Sequence, residues 1–393
     1  MDQMGDRIRK CRLWRGMTLQ QVADLTGLSK PYLSQIENGR KGLDSRTRLR
    51  QLADALRVAP TDLTGEPYPL DAPGLGAVQA AVPSVEAALM DIRIGDRTVE
   101  PRTLDELEAE VRGPLQVAAH KGDSSDLLRM LSGLIAELQA FGHDERALRL
   151  LVAACIDATH GLRHVGQVSL AWIAAERAAE AAGIVGDPVL VAAGEYARAH
   201  SRPTAGQGMA RASRAADQIP VRLVDADKWA QEVYGMLRLT AALAAQSRGD
   251  ADTADAQAAE AARVAAVHGE RKDTWECFGP TNVAVWRTML AVEAGEPAVA
   301  LKHAAGVDVA VLAPWRRRRA DLLLETARAH HQMGHSHRME AVAALRQAER
   351  LAPDMRASPW ARGLVEVMLT QSMYESGSRE LRGLAYRMGL DAS

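Results

Sequence analysis

Cysteine, phenylalanine and long apolar runs are what this chain has least of. Its 393 residues include three cysteines, Cys11, Cys155 and Cys277, and no C-x-x-C pair. That excludes a disulfide framework and a cysteine-based zinc site; Cys11 is expected to fill an apolar slot in a first helix. Aromatic residues make up 4% of the chain and only two of them are Phe, although 47% of residues are hydrophobic. The apolar content is therefore mostly Ala, Leu and Val, a composition that favours helix over strand. An all-α protein is expected. No run of 18 apolar residues occurs and no signal peptide opens the sequence, so a soluble cytoplasmic protein with no membrane contact is expected. Missing too are an H-E-x-x-H motif, a phosphate-binding Gly loop and the Ser/Lys or Ser/His/Asp patterns of a self-cleaving repressor. Neither an enzyme nor a cofactor-bearing protein is expected.

What is present begins with Thr18 to Gly39, TLQQVADLTGLSKPYLSQIENG. Thr18 with Gln21 three residues on forms a capping box, and Met17 and Val22 can close over it as a staple. Gly27 ends that helix, Ser29 caps the next and Gly39 stops it. In the second helix Leu33 and Ile36 share one face, while Lys30, Pro31, Ser34 and Gln35 share the other. A short helix with a thin apolar stripe and a polar front is suited to resting on a small core and entering a DNA major groove. A first helix over 5–15 is expected to turn Ile8, Cys11 and Leu13 inward. Ser45–Leu56 repeats Leu49, Leu52, Ala53 and Leu56 at helical spacing, and a short turn at Pro60–Leu63 closes the unit. Residues 1–65 carry twelve Lys/Arg against seven Asp/Glu, a net charge of +5; the whole chain is −2, so the remainder is −7. A basic head on an acidic body is what phosphate binding requires.

The stretch TLQQVADLTGLSKPYLSQIENGRKG resembles the helix-turn-helix of the Xre/phage-repressor family. Val22, Ala23, Gly27, Ser29, Leu33, Ser34, Ile36, Glu37 and Gly39 fit its pattern. Where many members carry a Gln that touches a phosphate, this chain has Leu19, followed by Gln20 and Gln21. The resemblance implies a five-helix lambda-repressor-like domain and double-stranded DNA as partner. Ser29, Lys30, Pro31, Tyr32, Ser34 and Gln35 would face the groove, with Gln35 suited to an adenine edge and Lys30 to a guanine or a phosphate. Arg40, Lys41 and Arg46 would hold phosphates. Gln20 and Gln21 would approach the backbone through their helix N-terminus.

Glu66 to Pro83 holds Pro67, Pro69, Pro73, Gly74, Gly76 and Pro83 and reads as a linker. From residue 84 to 393 the text is helical and repetitive. Gly249, Gly295 and Gly334 recur at intervals of 46 and 39 residues, each ahead of an Ala-rich helix. This resembles degenerate tetratricopeptide repeats, an α-solenoid of antiparallel helix pairs. Heads joined to such bodies are similar to the peptide-sensing regulators of Gram-positive bacteria, and the stretch Gly279–Val283, GPTNV, favours a likeness to actinobacterial Xre-type regulators. The implied partners are a second copy of the chain, forming a homodimer on a two-fold-related operator, and a small-molecule or peptide effector.

TWECFGPTNVAVWR, residues 274–287, concentrates aromatics in a chain poor in them. Trp275, Phe278, Asn282 and Trp286 are the candidate ligand-binding residues, with Tyr234 and Arg238 lining the same wall from the preceding long helix. The run Arg316–Arg319 reads as a solvated helix start rather than an anion clamp. His330, His331, His335 and His337 read as a surface turn with no completed metal ligand set. The sequence thus points to a ligand-responsive transcription regulator; the competing reading is an interaction scaffold whose head tethers or dimerises.

Overall fold

The computed structural model describes residues 4–43, 46–58, 63, 76–122, 124–201, 206–370 and 378–390. Among these all regular structure is helical, with no strand, and no helix is long and apolar enough to cross a membrane.

The head contains α1 (Met4–Trp14), α2 (Leu19–Thr26), α3 (Lys30–Glu37) and α4 (Arg46–Leu56). Both predicted caps form. Gln21 N donates to Thr18 Oγ1 at 3.2 Å while Thr18 N donates to Gln21 Oε1 at 2.8 Å, and Ser29 Oγ accepts from Tyr32 N at 3.3 Å. Gly27 adopts φ +68°, the left-handed conformation needed to end α2. Ile8, Val22, Leu33, Ile36, Leu49, Leu52, Leu56 and Leu63 form one core. Leu13, expected inside, is 57% exposed; Ile8 and Arg12 take the inward face of α1 instead. The fifth turn expected at 60–63 lies outside the described residues apart from Leu63.

An ion pair inside this core ties the end of α3 to α1. Arg12 Nε and Nη2 donate to the two Glu37 carboxylate oxygens at 2.6 and 2.7 Å, and Arg12 Nη1 donates to Met17 O at 2.8 Å. Both side chains are buried, and the hydrogen bond to Glu37 raises the Arg12 pKa. Fork-to-fork geometry is what compensates a buried pair for lost water. Gly5 lets α1 approach closely, since a Cβ there would meet Ile36 O at 2.3 Å.

The body begins earlier than the sequence suggested. Gly76–Met90 is a helix, α5, although Pro83 sits inside it. Pro83 forgoes one backbone hydrogen bond, but the burial of Val78, Val85 and Leu89 in the body core compensates. Residues 104–121 form three pieces: Leu104–Glu110, a π-turn over Val111–Leu115 around Gly113 and Pro114, and Gln116–Lys121. After these come α8 (Ser124–Ala140), α9 (Glu145–His164), α10 (Val168–Val185), α11 (Pro188–Ser201), α12 (Gly206–Asp217), α13 (Val221–Ala226), α14 (Lys228–Gln246), α15 (Ala251–His268), α16 (Pro280–Ala294), α17 (Pro297–Ala305), α18 (Arg316–Gln332), α19 (Arg338–Leu351), α20 (Pro359–Thr370) and α21 (Ser378–Arg387), where α6 is Leu104–Glu110 and α7 is Gln116–Lys121. The last helix was not anticipated from sequence.

Most consecutive helices pack on one another, and α9, α11, α14, α16 and α18 also pack in a row. Small side chains make this possible. Ala171, Ala174, Ala178 and Ala182 on α10 and Ala192, Ala193 and Ala197 on α11 are buried, each methyl contributing on the order of 0.8 kcal/mol. The row closes on itself, because α7 packs on α18 and the turn at Pro353–Ala357 packs on α9. At this seam Ser124 Oγ and Arg317 Nη1 both donate to Asp354, at 2.7 and 2.6 Å. Gly122, at φ +75°, allows the approach, since a Cβ there would lie 2.9 Å from Ala352 Cβ.

Head and body touch. Thr47 Oγ1 donates to Gln246 O at 3.3 Å, Trp360 of α20 packs against the head core, and Gly42 lies so close to Val367 that a Cβ would sit 2.7 Å from its Cγ2. Gly5→Ala should destabilise the head by about 1–3 kcal/mol, because a backbone carbonyl cannot be displaced cheaply. A denaturant titration that finds the variant as stable as the parent would contradict this close α1–α3 packing.

Candidate functional site

Two sites stand out, one on the head and one inside the body. On the head, Gln20, Gln21, Ser29, Lys30, Pro31, Gln35, Arg40 and Lys41 are exposed and Tyr32 and Ser34 half-buried. The edge of α3 is therefore open to a partner. Several of these side chains are already engaged. Gln21 serves the capping box, and Gln20 Nε2 donates to Asp24 Oδ1 at 2.8 Å. Ser34 O and Oγ accept from Asn38 Nδ2 at 2.7 and 3.3 Å. Tyr32 packs within the head: Arg48 Nη1 donates to its hydroxyl at 2.8 Å, and Lys41 Nζ lies 4.7 Å from its ring centre. Leu19 is partly buried against the core, so it holds α2 down and leaves the exposed amides to Gln20 and Gln21. The Arg46 side chain lies outside the described residues. Arg48 is a basic residue that sequence reasoning missed; its place in the run Arg46, Arg48, Arg50 was the available signal.

The interior site is a cavity of about 320 Å³ bounded by the ring of helices and open to solvent on one side. Trp275 and Trp286 line it. Phe278 is 1% exposed and packs behind the wall, edge-on to His268 at 5.4 Å and against Gly235, where a Cβ would lie 2.0 Å from the ring. Asn282 is fully buried and donates from Nδ2 to Glu276 O at 3.1 Å. It supports the wall rather than facing the cavity. Tyr234 and Arg238 do not line it, which corrects the expectation that they share this wall. They face α12 and α15: Tyr234 Oη donates to Glu260 Oε1 at 2.9 Å, and Arg238 Nη2 to Asp217 Oδ1 at 2.6 Å. The inner face of α14 is occupied instead by Leu243.

The Trp275–Cys277 turn is built with strain. Glu276 and Cys277 both have positive φ, 55° and 60°, which costs roughly 1–3 kcal/mol each in a non-glycine residue. Asn282 holds the Glu276 carbonyl, and Glu232 Oε2 accepts from Trp275 N at 3.0 Å while its Oε1 meets His268 Nε2 at 2.9 Å. The consequence is that Glu276 points at the cavity. Its Oε2 accepts from Tyr196 Oη at 3.3 Å and lies 3.6 Å from His160 Nδ1.

Other lining residues were not foreseen. Tyr196 and His200 sit one turn apart on α11, as do His160 and His164 on α9. Tyr196 lies 4.2 Å from His200 and 4.7 Å from Trp275, ring centre to ring centre. These i, i+4 pairs of ring residues in Ala-rich helices were the legible signal. Arg317 and Arg318, read from sequence as a solvated helix start, instead turn into the cavity with side chains 15% and 20% exposed. The Trp315 ring lies tilted against His120, with ring centres 3.6 Å apart. Burial holds His120 and His160 down to about 4, against the pull of Glu276, and keeps His164 well below the ordinary range. Burial, reinforced by Glu276, lifts Asp157 well above the usual carboxylate range. Burial also pushes the Cys155 and Cys277 thiols up to about 12. In the expected surface turn, the rings of His330 and His337 stack, with Nδ1 atoms 3.2 Å apart.

With this geometry described, comparison with known proteins adds the following. Residues 3–64 match a helix-turn-helix domain family. The chain is similar to the HTH-type transcriptional repressor RghR of Bacillus subtilis (strain 168), with 34% identity over 58 residues that cover 15% of this chain and 43% of that protein. It is equally similar, 34% over 58 residues, to the uncharacterized HTH-type transcriptional regulator RghRB of the same organism, covering 15% and 42%. The chain thus spans less than half the length of these curated relatives, and the match lies in the head. No solved structure matches the chain.

Histidines kept neutral by burial make stability fall with acid. The unfolded chain takes up protons near pH 6.5 and the folded body only near 4, so stability is complete above 6.5 and drains away towards 4, by about 2–3 kcal/mol per group. Asp157 acts in the opposite sense. His120→Gln should therefore shrink the loss of melting temperature between pH 7 and pH 5; an unchanged loss would show that His120 is not held neutral.

Proposed function

We propose that this protein is a sequence-specific DNA-binding transcription regulator whose helical body dimerises and responds to a small molecule. The observation that carries the reading is the open edge of α3, with Lys30 and Gln35 exposed beside Arg40 and Lys41, on a head matching a helix-turn-helix family. Named relatives of that head are a repressor and a regulator of transcription. Gln35 reads a base edge, Lys30 a base or phosphate, and Arg40, Lys41 and Arg48 hold the backbone. Ser29, Pro31, Tyr32 and Ser34 shape the edge. Two heads on a dimer meet half-sites about 34 Å apart or a multiple of it. The stacked helix pairs support a tetratricopeptide-like body, and the protein acts as a cytoplasmic binding protein, not an enzyme.

The response runs through Trp360. Its side chain lines the interior cavity and also packs on the head core. Arg328 lies over its ring at 5.3 Å and is held by Glu293 and by the cavity-lining Glu325 at 2.9 and 2.5 Å. Filling the cavity shifts Trp360 and hence the head, provided the ligand favours one arrangement over the other.

The test is DNA selected by the protein from a random pool. Lys30→Ala with Gln35→Ala should lose about 2–5 kcal/mol of discrimination for the selected sequence, read by competitive fluorescence anisotropy. Arg40→Ala should weaken all sequences alike and lower the salt slope by about one. Failure to select any sequence, together with recovery of one stoichiometric protein partner, would favour the scaffold reading. Trp360→Leu, remote from the DNA edge, should shift affinity for the selected DNA by about 0.5–2 kcal/mol. An unchanged affinity would sever the proposed link.

A further inference from the structure

The cavity has a chemical preference, and one side chain decides it. Four carboxylates that reach it are already committed. Glu276 accepts from Tyr196. Asp354 accepts from Ser124 and Arg317, Asp321 from Arg317 at 3.1 Å and Glu325 from Arg328. Arg318 is different. Its guanidinium has no hydrogen bond to any described protein group and reaches Glu276 and Asp321 only at 3.9 Å each. It keeps a fifth of its side-chain surface inside the ring. A guanidinium with unused donors in a partly dehydrated wall attracts a planar two-oxygen anion.

The rest of the wall specifies what the anion is attached to. Tyr196, His200, Trp275 and Trp286 form a continuous bank of rings, with His200 and Trp286 edge-to-face at 6.1 Å. Thr240 spends its proton on Met236 O, so His200 Nε2 must donate to Thr240 at 2.9 Å; this fixes the imidazole plane against Tyr196. Such a bank stacks flat, conjugated rings and gains little from a flexible chain. A cavity of about 320 Å³ is at the small end of ligand sites, fit for a metabolite-sized molecule and too small for a folded peptide.

We propose that the cavity is a site for a planar aromatic monocarboxylate, its carboxylate on Arg318 and its ring against the part-exposed Trp275, which the buried Tyr196 ring backs edge-to-face. This rests on the reading of the body as a ligand-responsive module and supplies the ligand class. Burial disfavours the charged form of the remaining lining carboxyl, Asp157.

The experiment is isothermal titration of the full chain, without DNA, with 2-naphthoate, 2-naphthamide and 2-naphthylmethylamine. The acid should bind at least about tenfold more tightly than the amide, a difference of about 1.4 kcal/mol, and the amine more weakly still. Arg318→Gln should abolish the preference of acid over amide while leaving amide binding and the melting temperature near those of the parent. Arg318→Lys should keep part of it, because charge survives and the fork does not. Trp275→Leu should weaken acid and amide together. The proposal is overturned if the amine matches the acid, if Arg318→Gln leaves the acid-to-amide ratio intact, or if no probe binds at millimolar concentration. Affinity for the selected DNA is measured separately. Acid binding that leaves DNA affinity unchanged upholds the ligand class and removes the sensing role.

Discussion

Asp354 is the clasp on which the interior depends. Its carboxylate reaches back across 230 positions of chain to Ser124, near the start of the body, and also holds Arg317. Stacked helix pairs would otherwise leave an open concave wall, as helical repeats commonly do. Here the wall bends round until α7 meets α18, and a groove becomes a chamber. A partly buried carboxylate is costly unless each oxygen is engaged; Asp354 meets that condition with one hydroxyl and one guanidinium. Glu276, the rings of Tyr196 and His200 on α11, and Arg163, Arg317 and Arg318 have a common interior to face only because the ends meet.

The head rests on a separate constraint. Glu37, a position in the family pattern, acts through Arg12, which brackets the end of α3 and the loop at Met17 at once. The pair fixes the tilt of the reading helix relative to α1, and Gly5 sets how near they come. Few of these contacts concern the outward side chains. The outer edge of α3 can vary in side chain while its support stays the same.

Local signals in the sequence carried most of the fold. The capping box at Thr18, the left-handed glycines and the apolar spacing of α3 and α4 are short-range statements of backbone chemistry, and the helices formed where those signals lay. Pro83 and the residues around it misled, because proline marks a helix break only where tertiary burial does not outweigh the missing hydrogen bond. The head's exposed edge was legible for the same local reason. The chamber was not, since its lining comes from α7, α8, α9, α10, α11, α14, α16, α18, α20 and the turns between them, and only closure decides which faces look inward. Trp275 and Trp286 were found through their scarcity. Tyr234 and Arg238 were misplaced because periodicity locates a helical face without saying whether that face turns to the interior or to the outer layer. Arg317 and Arg318 looked like surface for the same reason.

The loop that leaves the reading helix meets α20 at Gly42, against the Val367 methyls. A single absent methyl group at this joint sets the angle at which the head is carried. Exchanging that glycine for a bulkier residue re-aims the head without altering any side chain on the outer edge of α3, so on the proposed reading the geometry of docking varies independently of the residues that dock.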